Sequence, residues 1–476
     1  MKLRFSECIT LEDIRNLEQS FNYTIKGGTG SGKSYFIRNV LIPEHLDKKI
    51  LVLTNRTDLR RRFENELANT LEELELDVFD DMVDVKCYQT MMESDFEKYD
   101  VIVCDEFHYL TSDSWNRLTN STLEYFNEKS DDKIKVFLSA TQDGVVTLLN
   151  NAIVLCEIST KSSIGEVRGV KNDNYLGYLI EMNGEGKIMN FANMETTVEN
   201  HKKLLVYGVK SSMVCSHSRL EYKDFACANV SEELVSKGKF LSDVLNGTIA
   251  VATGLDFKDS DLKYIGIQQL LPKETIFQAV GRKRLRYDVD GIEVVDAPPT
   301  VIVQDFNKKS IQAKINEIER IRKQFFEFHR DKEEYLKNRP NRNYLPLWLE
   351  VDEEGNFIVN KAMLRELKHT KDWFEEVKEK GYPKAIAELL EAKYIDVNKE
   401  ECEQFLMSKF VGVRMFKEEQ KQFKETLELE YGFKGRSMGI KTINAYFEEQ
   451  EIPYTLDSKR VKVEGKLVTI WILEDK

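Results

Sequence analysis

Proline is scarce in this chain, with 8 residues in 476. Together with only 24 glycines, that excludes a collagen-like fibre and a Pro/Gly-rich disordered chain. Cysteine is sparse and scattered, at Cys8, Cys87, Cys104, Cys156, Cys215, Cys227 and Cys402. No pair has CxxC spacing and the number is odd, so neither a disulfide framework nor a structural zinc site is expected. The usage fits a reduced, cytoplasmic protein. Long hydrophobic runs are missing: nothing approaches about 18 consecutive apolar residues, so no membrane span is expected. The opening MKLRFSECIT has no apolar segment of the kind a secretory leader needs. Excess positive charge is missing as well. The net charge is −13, which excludes coating of nucleic acid by bulk charge but leaves room for a local basic channel. Acids and bases balance beyond Phe306, so the whole −13 falls in residues 1–306.

What is present is an ordinary globular composition, 41% hydrophobic and 32% charged. At about 100–200 residues per domain, the length suggests two to four domains. Short apolar runs alternate with helical stretches from the start. Runs at 49–54 (KILVLT), 101–104 (VIVC) and 135–139 (KVFLS) predict buried strands of a parallel sheet. A second array predicts strands at 187–191, 211–215, 248–252 and 300–304. Two such arrays in series predict two α/β domains, 1–160 and 161–306. The pattern changes in 307–476. Ile311, Ile315, Ile318, Ile321 and Phe325 recur at helical steps, an amphipathic helix packed on its own domain or a coiled-coil arm. Asn338–Pro346 (NRPNRNYLP) punctuates that pattern. The end predicts a helix at 438–448 and strands near 453–456, 460–463 and 466–473, with a turn at Gly465.

Four motifs carry chemistry. GGTGSGKS at 27–34 fits GxxxxGK[ST] through Gly27, Gly32, Lys33 and Ser34. Glycines let backbone N–H groups curl around phosphate oxygens. Lys33 is placed to reach the β/γ-phosphates, and Ser34 to ligate Mg²⁺. Asp105-Glu106-Phe107-His108 follows directly on a predicted strand. A carboxylate there faces the crevice at the sheet's C-terminal edge. Asp105 suits Mg²⁺, and Glu106 the attacking water. Taken alone, the tetrad is as easily a solvated acidic helix start. Ser139-Ala140-Thr141 also ends a strand and means little in isolation. Finally, Gln278-Ala279-Val280-Gly281-Arg282-Lys283-Arg284-Leu285-Arg286 concentrates cations. It suits either a transferring phosphoryl group or a nucleic-acid backbone.

In order and spacing these motifs resemble the DExH type of the superfamily 2 helicases and translocases, particularly those of phages and mobile elements. GGTGSGKS resembles motif I, and Thr54-Asn55-Arg56-Thr57-Asp58-Leu59 motif Ia. Tyr88-Gln89-Thr90 resembles the segment upstream of motif II. DEFH and SAT resemble motifs II and III. Lys187–Asn193, Ala252–Phe257 and Gln278–Arg286 resemble motifs IV, V and VI. The resemblance covers about residues 20–306.

It implies two tandem RecA-like domains with ATP and Mg²⁺ between them. It assigns the nucleotide to Gly27, Gly28, Thr29, Gly30, Ser31, Gly32, Lys33 and Ser34, with Gly254 and Asp256 from motif V. Catalysis falls to Lys33, Asp105, Glu106, Gln278 and Arg282. The family pattern QxxGRxxR puts its last arginine at 285, where this chain has Leu285. Arg284 and Arg286 flank it and share that assignment. The nucleic-acid track falls to Thr54, Arg56, Gln89, Thr90, Asn193 and Thr253. Coupling falls to His108, Ser139 and Thr141. The implied activity is an ATP-dependent helicase or translocase with nucleic acid as partner, DNA favoured over RNA. The alternatives are a nucleotide-gated switch or loader that remodels a protein partner without unwinding, and an RNA helicase. The resemblance does not extend to 307–476. The helix-then-hairpin end of that region resembles a winged helix, with a packing or partner-docking module as the plainer reading.

Overall fold

Strand order decides where this molecule does its chemistry. The computed structural model describes residues 5–28, 31–55, 57–76, 82–112, 117–139, 149–158, 164–171, 174–214, 230, 234, 237–249, 256–289, 292–338, 345–346, 348–351, 355–397, 410–431, 439–449, 452–463 and 466–475. The first sheet contains β1 (Asn22–Gly27), β2 (Ile50–Thr54), β3 (Val83–Cys87), β4 (Val101–Asp105), β5 (Ile134–Ser139) and β6 (Ala152–Ile158). Its order is β3-β2-β4-β5-β1-β6, and every pair is parallel. Such a sheet is covered on both faces, so its strands need side chains that are apolar on both sides. Ile50 to Leu53 and Val101 to Cys104 are accordingly all fully buried. Because β4, β5 and β1 are neighbours running the same way, the segments DEFH, SAT and GGTGSGKS leave the sheet side by side.

The second sheet takes β7 (Glu166–Lys171), β8 (Lys187–Ala192), β9 (Ser211–Val214), β10 (Val244–Gly247), β11 (Leu262–Gln268) and β14 (Thr300–Asp305). The β12 (Arg286–Val289) and β13 (Ile292–Val295) hairpin lies between the last two in sequence. A hairpin of β15 (Leu349–Val351) and β16 (Phe357–Val359) follows. The seventh strand of the second sheet, β17 (Lys393–Asp396), comes from beyond residue 306 and pairs with β7. The order is β17-β7-β14-β11-β8-β10-β9, again all parallel. The architecture is therefore two parallel-sheet α/β domains, as expected for tandem RecA-like folds.

One strand is displaced from its expected place. Of the strand expected at 248–252, residues 250–252 lie outside the described residues; the described strand is Val244–Gly247. Residues 248–252 offered the longer apolar and β-branched run, but Asn246 is what the sheet needs there. It accepts from the buried Asn190 amide on the neighbouring β8 at 3.1 Å. A buried polar ladder thus fixes a register that hydropathy does not show.

The helices used below are α1 (Lys33–Phe36), α2 (Thr57–Glu73), α3 (Tyr109–Ser112), α4 (Met194–Val206), α5 (Lys273–Val280), α6 (Lys308–Arg330), α7 (Lys361–Lys380), α8 (Tyr382–Leu389), α9 (Lys417–Tyr431) and α10 (Ile440–Glu449). The isoleucine stripe of α6 packs on the second sheet: Ile311, Ile315 and Ile318 join its core with Trp373, Phe374, Val377, Tyr382 and Ile386 of α7 and α8. The chain ends in one antiparallel hairpin, β18 (Tyr454–Val463) and β19 (Lys466–Asp475), packed on α9 and α10. Tyr454 and Trp471 belong to that core, at 4% and 9% exposure. No helix among the described residues is long and apolar enough to cross a membrane.

Candidate active site

The loop after β1 is built for close approach. A Cβ on Gly27 would lie 2.2 Å from the Phe5 ring and 2.9 Å from Ser31 Oγ. Gly32 has φ of 88°, a left-handed conformation that suits glycine, and it leads directly into α1. The backbone then turns upward into Lys33. This lysine is 7% exposed, and its Nζ donates to the Gly27 carbonyl at 2.9 Å. It also lies 3.5 Å from Glu106 Oε1. Ser34 follows in the first turn of α1. Gly28 is bonded through its carbonyl to Ser31 N–H at 3.2 Å. Thr29 and Gly30 lie outside the described residues.

The DEFH tetrad leaves β4 through Asp105. Glu106 has φ of 53°, in the left-handed region that a glutamate rarely adopts. That turn aims its carboxylate back between Lys33 and His108. Burial raises the Asp105 carboxyl, with Glu106 adding to it, to about 7. Burial acts on Glu106 in the same sense, but Lys33, then His108 and Arg282 outweigh it and hold Glu106 below the usual carboxylate range. Among the described residues, Asp105 Oδ1 and Ser31 Oγ are buried without a hydrogen-bond partner. Buried orphan oxygens beside a lysine suit a magnesium nucleotide, which would supply a metal for the carboxylate and acceptors for the hydroxyl.

His108 connects the two sheets. It is 6% exposed, and its Nδ1 lies 2.7 Å from Ser139 Oγ and 3.3 Å from Glu106 Oε2. Its Nε2 lies 2.7 Å from the amide nitrogen of Gln278, on α5 of the second domain. An amide N–H can only donate, so Nε2 accepts and the ring proton sits on Nδ1. One imidazole therefore joins the Glu106 carboxylate, the end of β5 and the second domain.

The cationic cluster divides by role. Asp256 gathers Arg284 at 2.8 Å, Arg282 at 3.8 Å and Arg62 of α2, in the first domain, at 4.0 Å. Burial would raise its carboxyl, but Arg284 and Arg282, assisted by Arg62, hold it low. Arg282 also contributes to the field on Glu106. Lys283 is a buried structural cation. It bonds Asp296 at 2.6 Å and the Asp259 carbonyl. Arg286 is exposed at the start of β12.

The residues assigned to the nucleic-acid track are placed separately. Thr54 is buried at the end of β2. Gln89 donates to the Asn55 carbonyl at 2.9 Å and to the Tyr109 hydroxyl at 2.7 Å, tying motif Ia to the DEFH helix. Thr90 donates to the Cys87 carbonyl at 2.9 Å. The Asn193 side chain caps α4, accepting from Thr196 N–H at 3.0 Å. Arg56, Thr141, Thr253 and Gly254 lie outside the described residues. Arg62 was missed by the motif reading. Its only signal was the triple arginine at 60–62 on the helix after motif Ia.

Residues 2–143 match the family of the type III restriction enzyme res subunit. The match spans the P-loop and the DEFH tetrad, so the superfamily 2 resemblance of the first domain holds. About two thirds of the chain is also similar to solved helicase structures. One is Dbp5 of S. cerevisiae bound to RNA and ADP BeF3, 16% identical, covering 66% of this chain and 88% of that one, with a TM-score of 0.46. Another is the DEAH/RHA helicase HrpB of Escherichia coli, 15% identical, covering 62% and 42%, with a TM-score of 0.42. No curated protein sequence matches this chain.

Proposed function

We propose that this protein is an ATP-driven nucleic-acid motor of the DExH type, a helicase or translocase acting on DNA. The observation that carries this reading is the His108–Gln278 hydrogen bond, which ties the hydrolytic carboxylate to the other domain. A machine that converts nucleotide state into domain movement needs such a tie.

In this reading the backbone of 27–32 and Lys33 cradle the phosphates. Ser34 and Asp105 would hold Mg²⁺, which would neutralise phosphate charge there. Glu106 is held so far down that it accepts a proton poorly while Lys33 lies on it. Phosphates that draw Lys33 away remove the strongest opposing charge and make Glu106 more basic. It then orients water for in-line attack on the γ-phosphorus. As the P–O bond to the leaving diphosphate breaks, the water proton passes to Glu106. Arg282 approaches from the second domain and balances charge on the transferring group.

Thr54, Arg56, Gln89, Thr90, Asn193 and Thr253 would line a track for the sugar–phosphate backbone. Backbone contacts make tracking insensitive to sequence and sensitive to salt. The DNA preference rests on the DEFH tetrad and the compact motif V. Regions 1–160 and 161–306 would be the motor, and 307–476 an accessory region offering a surface to a replication or mobile-element protein.

The test is steady-state ATP turnover at low salt with no polymer, single-stranded DNA, duplex DNA or single-stranded RNA. Strong stimulation by single-stranded DNA is expected. Stimulation by RNA alone would overturn the DNA assignment. Equal rates under all four conditions would favour a nucleotide-gated switch over a motor.

A further inference from the structure

The C-terminal helices reach the short segment that precedes the helix of Gln278. Residues 269–272 lead from β11 into α5, the helix that carries Gln278 and precedes Arg282. The Tyr382 hydroxyl accepts from Leu271 N–H at 2.9 Å and donates to the Gln269 carbonyl at 2.9 Å. The Trp373 indole N–H donates to the Leu271 carbonyl at 3.0 Å. Both aromatic residues are almost wholly buried, at 0% and 2% exposure. Lys273, the first residue of α5, lies over the Trp373 ring at 5.3 Å and 3.8 Å from Glu376. The same helix, α7, also packs against α3, which follows DEFH in the first domain. Three hydrogen bonds, two of them buried, thus fall on Gln269 and Leu271, and cohesion does not depend on them. Apolar packing of Phe374, Val377 and Ile386 already supplies that.

We propose that Trp373 and Tyr382 are positioning residues for ATP hydrolysis. They fix the segment 269–271 and so set where α5 presents Gln278 and Arg282 to Glu106 and His108. This rests on the reading that those two residues complete the ATP site. It makes α7 and α8 part of the hydrolytic apparatus, and it gives anything bound to 307–476 a route to the turnover rate. Displacement of a catalytic group by about 1 Å costs roughly 100-fold in rate, so small shifts are legible in kcat.

The experiment uses the full chain with Tyr382→Phe, Trp373→Phe and, as a control, Val377→Ala, which trims the same buried helix away from the segment. Lys33→Ala marks the background. Tm, kcat and KM for ATP are measured for each. Both aromatic variants are expected to lose about 10- to 100-fold in kcat. Their KM for ATP should stay within about twofold, because the phosphate loop belongs to the first domain. Val377→Ala should lower Tm at least as far and keep kcat within about twofold. Aromatic variants that keep wild-type kcat would overturn the inference, and so would kcat that follows Tm across all three. Absence of Lys33-dependent turnover in the unaltered chain would overturn the functional reading and this inference with it.

Discussion

Replacement of Glu106 by glutamine is expected to lower ATP turnover by roughly 10²–10⁴-fold, the range for loss of a positioned acid–base group. The change is nearly isosteric. An amide in place of the carboxylate removes the charge that Lys33 and His108 now face, without a cavity. Lys33 keeps its bond to the Gly27 carbonyl, so the phosphate grip survives. ATP affinity should therefore stay within about tenfold while kcat collapses, the signature of an interaction used in the transition state. Turnover together with equilibrium binding of a fluorescent ATP analogue separates the two. Near wild-type turnover in Glu106→Gln would remove Glu106 from the mechanism.

The second large effect concerns the arginines. Arg284 lies 2.8 Å from Asp256, whereas Arg282 is 3.8 Å away and also acts on Glu106. The closer pair is the more committed one. Arg282 is accordingly assigned the transition-state charge, and Arg284 the task of holding Asp256. Arg282→Ala should cost about 10³-fold in kcat, the low end of the range for an arginine that balances phosphoryl charge. Arg284→Ala should cost no more than about tenfold, through loosening of the Asp256 cluster. The reverse order in single-turnover rates would move the role to Arg284 and displace the motif by two residues.

Most of the first domain was legible because its signals are local. A phosphate loop needs glycines at fixed positions. A buried parallel strand needs a run such as ILVLT or VIVC, and the tetrad DEFH sits where that run stops. Much of the second domain was not legible. Strand β11 (LKYIGIQ) starts with a polar alternation, and β17 (KYID) is short, mostly exposed and far from its partners in sequence. The displaced strand β10 owes its place to an Asn–Asn–Gln ladder, which looks like loop composition on any hydropathy measure. The cluster GRKRLR showed its charge but not its division of labour. Burial of Lys283 against Asp296 is a tertiary fact, as is the reach of Arg62 from the first domain. The roles of Trp373 and Tyr382 depend on partners more than 100 residues away, so no local pattern announces them.

The central claim is that hydrolysis in the first domain is wired to the second through one imidazole. A double-mutant cycle tests it directly. Polymer-free kcat is measured for the unaltered chain, His108→Ala, Gln278→Ala and the double variant. If the hydrogen bond is the wire, the second substitution adds little once the first is made. The predicted coupling is about 1–3 kcal/mol, and the double variant resembles the worse single one. Independent effects that multiply, with coupling below about 0.5 kcal/mol, would contradict the account.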